Sequence, residues 1–235
     1  MDRMNMQKLD QLTHSTQDYL KAIYSLTRNG QPTSTLQVAD ALGVRPASVT
    51  HMLQKMDEAE PRLVIYRKHH GVRLSPEGEV MALRLIRRHR LIELFLHDVL
   101  DYPWERVHTE AEVLEHAISP FFEERLAEYL ENPRIDPHGD LIPSRSLAMK
   151  EERSLVSLTR LETDQHAIVR RVSNQSVEML SYLGEIGLQP GANLRVLKRN
   201  PVDGTMQVQI NGQKDDQVLG EDIGQQVWVE MSPKL

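Results

Sequence analysis

The sequence predicts a mainly α chain with β, on three observations. From about Tyr19 to Leu130, apolar residues recur at helical spacing. From about Glu162 onward, short β-branched runs separated by Gly-containing turns replace them. Between the two textures lie a Pro-rich connector over 132–146 and a linker-like stretch over 147–160. At 235 residues, the chain suits two or three small domains better than one core.

Taken in order, Tyr19, Leu20, Ile23, Tyr24 and Leu26 predict a helix over 15–28. Ser15 or Thr16 is its expected cap, and Asn29-Gly30 and Pro32 its end. Thr33 to Leu42 reads as a second short helix. Gly43 marks a turn, and Pro46 opens a third helix through Val49, Met52, Leu53 and Met56. Leu63–Tyr66 and Val72–Leu74, joined through Lys68-His69-His70-Gly71, predict a small hairpin. Ser75-Pro-Glu-Gly78 opens a long helix to about Leu100, which Tyr102-Pro103 breaks. Residues 104–131 read as two helical pieces parted near Ser119-Pro120. Farther on, Ala167–Val172, Leu194–Leu197, Met206–Ile210 and Gln226–Val229 read as strands of a small β-barrel, with turns at Pro190-Gly191, Asp203-Gly204 and Asn211-Gly212.

Composition narrows the chemistry. Cysteine is absent, which excludes disulfides, zinc–thiolate sites and iron–sulfur clusters. Any metal must be held by His, carboxylate, carbonyl or water. No apolar run is long enough to cross a membrane, and residues 1–8 lack the apolar stretch of a signal peptide, so a cytoplasmic address is expected. The net charge of −6 divides unevenly. Residues 1–78 carry ten Lys/Arg against eight Asp/Glu, whereas residues 79–148 carry eight against fourteen. Acid is concentrated in the middle of the chain, and only the N-terminal segment is positive.

Helix, Gly turn, helix, then hairpin is the order of a winged helix-turn-helix. Val38, Ala39, Leu42, Val49, Leu53 and Met56 form its expected apolar seam. Arg45, Pro46, Ala47, Ser48, Thr50, His51 and Lys55 fall on the second, recognition helix, where base-edge and phosphate contacts originate. Arg67, Lys68, His69, His70 and Arg73 fall on the wing, beside the phosphates.

The segment His108-Thr-Glu-Ala-Glu-Val-Leu-Glu-His116 carries the strongest chemical signal. His108, Glu112, Glu115 and His116 share one helix face, and His89 and Glu93 repeat the four-residue spacing on the preceding helix. Acidic groups packed this closely repel unless a cation or proton neutralises them, and a divalent ion satisfies carboxylates and imidazoles together.

These segments, with Arg88–Leu96, Asp18–Tyr24 and Asp136-Pro-His-Gly139, resemble the diphtheria toxin repressor family of metal-dependent transcriptional regulators, and especially its manganese-responsive three-domain branch. The resemblance implies a winged helix-turn-helix domain over 1–78 and a helical metal-binding and dimerisation domain over 79–146. A linker over 147–160 and an SH3-like β domain over 161–235 follow. It also implies a primary site of Asp18, Glu112, Glu115 and His116, with His89 adjacent. A second site would draw on Glu93, Asp136 and His138, or on His89, Glu93 and His108. Glu178 and Asp164 are candidates for an added ligand from the β domain. The iron branch of the family has Met and Cys where this chain has Asp18 and Glu112. Hard carboxylates at both positions favour Mn(II), with Fe(II) as the alternative. The other manganese pattern has an acidic residue where this chain has Lys21, which argues against a binuclear site of that kind.

The expected function is manganese-activated binding of a homodimer to double-stranded operator DNA, repressing metal-uptake genes, with no small-molecule substrate. The apolar residues Leu91, Ile92, Phe95, Leu114, Ile118, Phe121 and Phe122 supply the dimer contact and the middle-domain core, in proportions the sequence does not divide. An iron-dependent repressor and an activator of efflux genes would carry the same site. A metallohydrolase would need a general base and a nucleophile, and neither stands near the cluster; the chain is expected not to be an enzyme.

Overall fold

The computed structural model describes residues 12–149, 154–211 and 213–232. Gly212 of the expected Asn211-Gly212 turn and part of the expected linker lie outside these residues. The chain forms two compact units. The first comprises residues up to His89 with Glu112–Asn132 and Pro143–Ala148; the second comprises Arg90–Ala111, Pro133–Ile142 and the chain from Met149 onward.

In the first unit, α1 spans His14–Leu26, α2 Thr35–Leu42 and α3 Pro46–Asp57; β1 (Val64–Arg67) and β2 (Gly71–Leu74) form an antiparallel hairpin. The cap of α1 is Thr13, not Ser15 or Thr16: the Thr13 hydroxyl accepts from Thr16 N, because only Thr13 has the extended backbone that a cap needs. Ser34 and Gln37 close a capping box on α2. Gly43 ends α2 in the left-handed region, at φ 63°, and this turn swings the chain into α3. Pro46 occupies the first turn of α3, where its missing N–H is not needed. Leu20, Ile23, Val38, Ala39, Val49, Leu53, Met56, Leu63, Val64 and Val72 are buried together, so the expected seam forms, except that Leu42 packs only at its edge.

The helix α4 runs from Pro76 to Leu100, α5 from Val107 to Leu114 and α6 from Pro120 to Tyr129. Within the first unit, the buried Arg88 guanidinium ties α4 to the end of α5 and to α6. Its Nη1 donates to the Glu115 carbonyl at 3.2 Å, and its Nε reaches Glu123 at 3.2 Å. This bond fixes the backbone beside a candidate ligand.

In the second unit, six antiparallel strands are ordered β3-β8-β4-β5-β6-β7. They are β3 (Leu155–Ser157), β4 (His166–Val172), β5 (Asn193–Arg199), β6 (Met206–Ile210), β7 (Gln217–Leu219) and β8 (Val227–Ser232). Bulges at Val169/Arg171 and Val196/Lys198 bend the sheet. Val169, Val172, Val196, Val208 and Val229 pack with Trp104 into one core. Two helices, α7 (Val177–Glu185) and α8 (Glu221–Gln226), also belong here and were not foreseen. Leu155–Ser157 and the 3-10 turn Leu158–Arg160, assigned to the linker from sequence, are part of this β domain: Val156 pairs with Val229, and Leu158 is buried. The sheet hydrogen bonds of a three-residue strand leave no periodicity to read.

Candidate metal centres

His14, Gln17, Asp18 and Lys21 lie on one face of α1 at the i, i+3, i+4, i+7 spacing. They meet Glu112 of α5 and the two residues following its end, Glu115 and His116. Asp18 Oδ1 lies 3.2 Å from His116 Nε2, which is 3.7 Å from Glu115 Oε1. Asp18, Glu115 and His116 each offer a ligand atom within 4.8 Å of the others, and so do His89, Glu112 and Glu115. All five residues of the expected primary site thus come together in the first unit. His89 Nδ1 lies 2.5 Å from Glu115 Oε2.

Lys21 has a role that the sequence did not show. Its Nζ donates to Glu112 Oε1 at 2.7 Å and to both oxygens of Glu115 at 2.8 and 2.9 Å, and it lies 3.3 Å from His89 Nδ1. Burial disfavours the ammonium, but Glu115 and Glu112 outweigh it and hold the lysine above its ordinary pKa. Burial raises the Asp18 carboxyl; His116 opposes this, and Glu112 and Glu115 add to it. With the imidazoles neutral, three carboxylates and one ammonium leave a local charge of about −2, which a divalent cation cancels. The donors are carboxylate oxygen and imidazole nitrogen, a set that fits a divalent first-row metal.

A second cluster lies within the second unit. Glu93, Asp136 and His138, all buried, place ligand atoms within 4.8 Å of one another. His138 Nε2 donates to the Trp104 carbonyl at 2.9 Å, so Nδ1 carries the lone pair. That nitrogen faces Glu93 Oε1 at 3.8 Å and has no hydrogen-bond partner. Asp136 Oδ1 accepts from the backbone N–H groups of His138 and Asp140, whereas its Oδ2, 3.4 Å from Arg90 Nε, makes no hydrogen bond. Two buried acceptors of this kind on neighbouring residues suit a cation. His108 Nδ1 lies 3.0 Å from Glu93 Oε1 at the more exposed rim. Burial, then Glu93 and Asp140, push the Asp136 carboxyl well above the carboxylate range; burial lowers His138.

The β sheet holds this loop in place. Val172 N donates to the His138 carbonyl at 2.9 Å. Gly139 adopts φ 90°, and a Cβ there would stand 1.9 Å from the Arg170 carbonyl, so only glycine allows the approach. The β-domain candidates do not reach the cluster. Asp164 is exposed and pairs with Arg195 at 2.6 Å, and Glu178 joins no group of potential ligands among the described residues. Among the β-domain side chains that reach the loop are Gln175, whose amide donates to Asp140 Oδ2 at 3.3 Å, and Arg171, whose Nη1 lies 4.0 Å from Asp140 Oδ1.

On the helix-turn-helix, Arg45, Pro46, Ala47, Ser48, His51 and Lys55 are exposed, as are Arg67, Lys68 and Arg73 on the hairpin. Thr50 is half-buried, and its hydroxyl donates to the Pro46 carbonyl at 3.2 Å.

Comparison with known proteins agrees with this architecture. Three family models match in succession: the iron dependent repressor N-terminal DNA binding domain over 11–72, the iron dependent repressor metal binding and dimerisation domain over 75–144, and the FeoA domain over 156–231. The Iron-dependent repressor IdeR of Mycobacterium leprae is 30% identical over 199 residues, covering 80% of this chain and 86% of that protein. The Diphtheria toxin repressor of Corynebacterium jeikeium is 33% identical over 132 residues, covering 56% of this chain and 54% of that protein. A solved manganese-dependent transcriptional repressor in complex with manganese superposes with a TM-score of 0.81 at 35% identity, over 92% of this chain and all of that one. A DNA-binding module, a metal-binding module and a FeoA-type sheet in this order make the chain a metal-dependent transcriptional repressor, not an enzyme, and it belongs to the diphtheria toxin repressor family.

Proposed function

We propose that this chain is a manganese-dependent repressor of metal-uptake genes, acting in the cytoplasm as a homodimer on double-stranded operator DNA. The observation that carries the reading is the donor set around His116. Asp18, Glu112, Glu115, His116 and the adjacent His89 supply only carboxylate oxygen and imidazole nitrogen, with a residual charge near −2. Hard oxygen donors suit Mn(II), and the solved manganese-bound repressor at 35% identity supports the same ion.

On this reading, residues 1–78 bind DNA, 79–146 hold metal and dimerise, and 161–235 form the SH3-like domain. A bound ion supplies the positive charge that draws the carboxylates together. Asp18 belongs to α1 of the DNA-binding segment, whereas Glu112, Glu115 and His116 belong to the helical segment. Ligands from both segments on one ion would brace α1 and the helix-turn-helix packed on it. Glu93, Asp136, His138 and the rim His108 serve as a second site. Exposed apolar side chains of α5 and α6, among them Val113 and Phe121, form the face for a second copy. Arg45, Pro46, Ala47, Ser48, Thr50, His51 and Lys55 enter the major groove while Arg67, Lys68 and Arg73 contact phosphates. With a metal held there, the population would shift toward the DNA-competent arrangement, and operator DNA would tighten metal binding in return.

Fluorescence anisotropy of a labelled operator duplex tests this. Binding should appear with MnCl2 and vanish with chelator, and Glu112→Ala or His116→Ala should abolish the stimulation while circular dichroism stays native. Equal binding with Mn(II) and with chelator would end the proposal. Fe(II) is the second reading, favoured by the iron-dependent mycobacterial relative. It is preferred if anaerobic Fe(II) supports operator binding at lower free concentration than Mn(II).

A further inference from the structure

We infer that Gln17 is a positioning residue that selects the metal-competent tautomer of His116. The inference rests on the reading of His116 as a metal ligand. Gln17 is 2% exposed and belongs to the first turn of α1. Its Nε2 donates to the Leu12 carbonyl at 3.1 Å. A carbonyl oxygen only accepts, so the amide nitrogen must face Leu12 and Oε1 must face the other way. There Oε1 lies 2.9 Å from His116 Nδ1. An amide oxygen also only accepts, so Nδ1 carries the hydrogen and, in the neutral ring, Nε2 keeps its lone pair. That lone pair points toward Asp18 Oδ1 and Glu115 Oε1, at 3.2 and 3.7 Å.

The consequence is chemical. In this tautomer His116 Nε2 and Asp18 Oδ1 face each other with no proton between them, beside a Glu115 Oε1 that accepts from Lys21, and a cation completes the arrangement. In the other tautomer, Nε2–H would donate to Asp18, and the two ligands would satisfy each other. The His14 ring stacks on His116, with centroids 4.5 Å apart and planes 13° apart, and so helps hold the imidazole plane. An outer residue that accepts the second N–H of a ligating histidine fixes its tautomer and raises its basicity. Gln17 does so from α1, so the segment entering α1 at Leu12 is linked to the ligand through a single amide.

The test uses the full chain and three variants. Long-range nitrogen–carbon-proton NMR on the metal-free protein reads the His116 tautomer, and titration of MnCl2 against a competing fluorescent chelator reads affinity. Wild type should show a protonated Nδ1 and a bare Nε2. Gln17→Met keeps the volume and burial but removes the acceptor; it should populate the Nε2–H form and weaken Mn(II) binding about 10- to 100-fold. Gln17→Glu restores an acceptor and should return the Nδ1–H form with affinity at or near wild type. A packing role alone would leave Gln17→Met unchanged in both readouts. Wild-type affinity in Gln17→Met, with His116→Ala weakened, overturns this inference and leaves the ligand reading standing. Wild-type affinity in His116→Ala overturns the ligand reading and this inference with it.

Discussion

Lys21→Met removes the ammonium seated between Glu112 and Glu115 and keeps an unbranched apolar stem in its place. The two expected effects have opposite signs. In the metal-free chain, Glu115 is fully buried and loses its cation, and stripping one partner from a buried pair costs about 3–5 kcal/mol. Glu115 keeps its contact with His89, which reduces that cost. The bond to Glu112, a side chain 40% exposed, adds at most about 1 kcal/mol. A net loss of about 2–4 kcal/mol is expected. In the metal-bound chain, the change removes a like charge. A unit charge and a dication about 5 Å apart repel by about 6–7 kcal/mol at an effective dielectric near 20. Lys21 is partly exposed and can swing toward water, so only a fraction of this is recovered. A quarter of it already corresponds to about tenfold in affinity. The prediction is a lower melting temperature in chelator together with Mn(II) binding tightened about tenfold or more. Calorimetric titration in a His138→Gln background, with thermal melts alongside, measures both. An unchanged melt with unchanged or weaker Mn(II) affinity would refute the reasoning, because the ammonium would then not be seated against the carboxylates.

Two further predictions concern pH and DNA. Burial lowers the His138 pKa below its ordinary 6.5, so below that value the unfolded chain binds more protons than the folded one. The stability contribution is present above pH 6.5 and is lost as pH falls through the folded value. Melts of the metal-free protein should show this loss, and His138→Gln should flatten it; identical pH profiles would contradict the burial argument. On the DNA side, Arg45→Ala should cost about 1–3 kcal/mol and relax base preference, whereas Lys68→Ala should weaken all duplexes alike and reduce the salt slope by about 1. Anisotropy titrations across salt and across mutated duplexes separate the two.

Much of the architecture was legible because the signals were local. Pro46 at a helix start, Gly43 at a left-handed turn and the 71–74 strand each reflect a backbone preference that one or two residues express. The acidic spacing of Glu112, Glu115 and His116 is local in the same sense. What was missed depended on partners remote in sequence. The strand Leu155–Ser157 exists because β8 lies beside it, and its own residues show no alternation. Thr13, Ser15 and Thr16 are equivalent as capping chemistry, and only backbone geometry singles out Thr13. The apolar set left undivided does divide in the structure: Leu91 and Ile92 are buried, whereas Phe121 and Phe122 are exposed.

The sequence by itself named the candidate ligand residues. With no cysteine in the chain and carboxylates at 18 and 112, the candidate donors are oxygen and nitrogen, and the spacing of Glu112, Glu115 and His116 places them together at one helix end. Tertiary structure decided how these donors are used. It seats Lys21 among Glu112, Glu115 and His89 across a separation of 68 residues or more, and it turns His138 Nδ1 toward Glu93 by giving Nε2 to the Trp104 carbonyl. Charge balance and imidazole tautomer are properties of atoms brought together in space. A one-dimensional pattern names the atoms, but only the packed chain says which proton or cation stands between them.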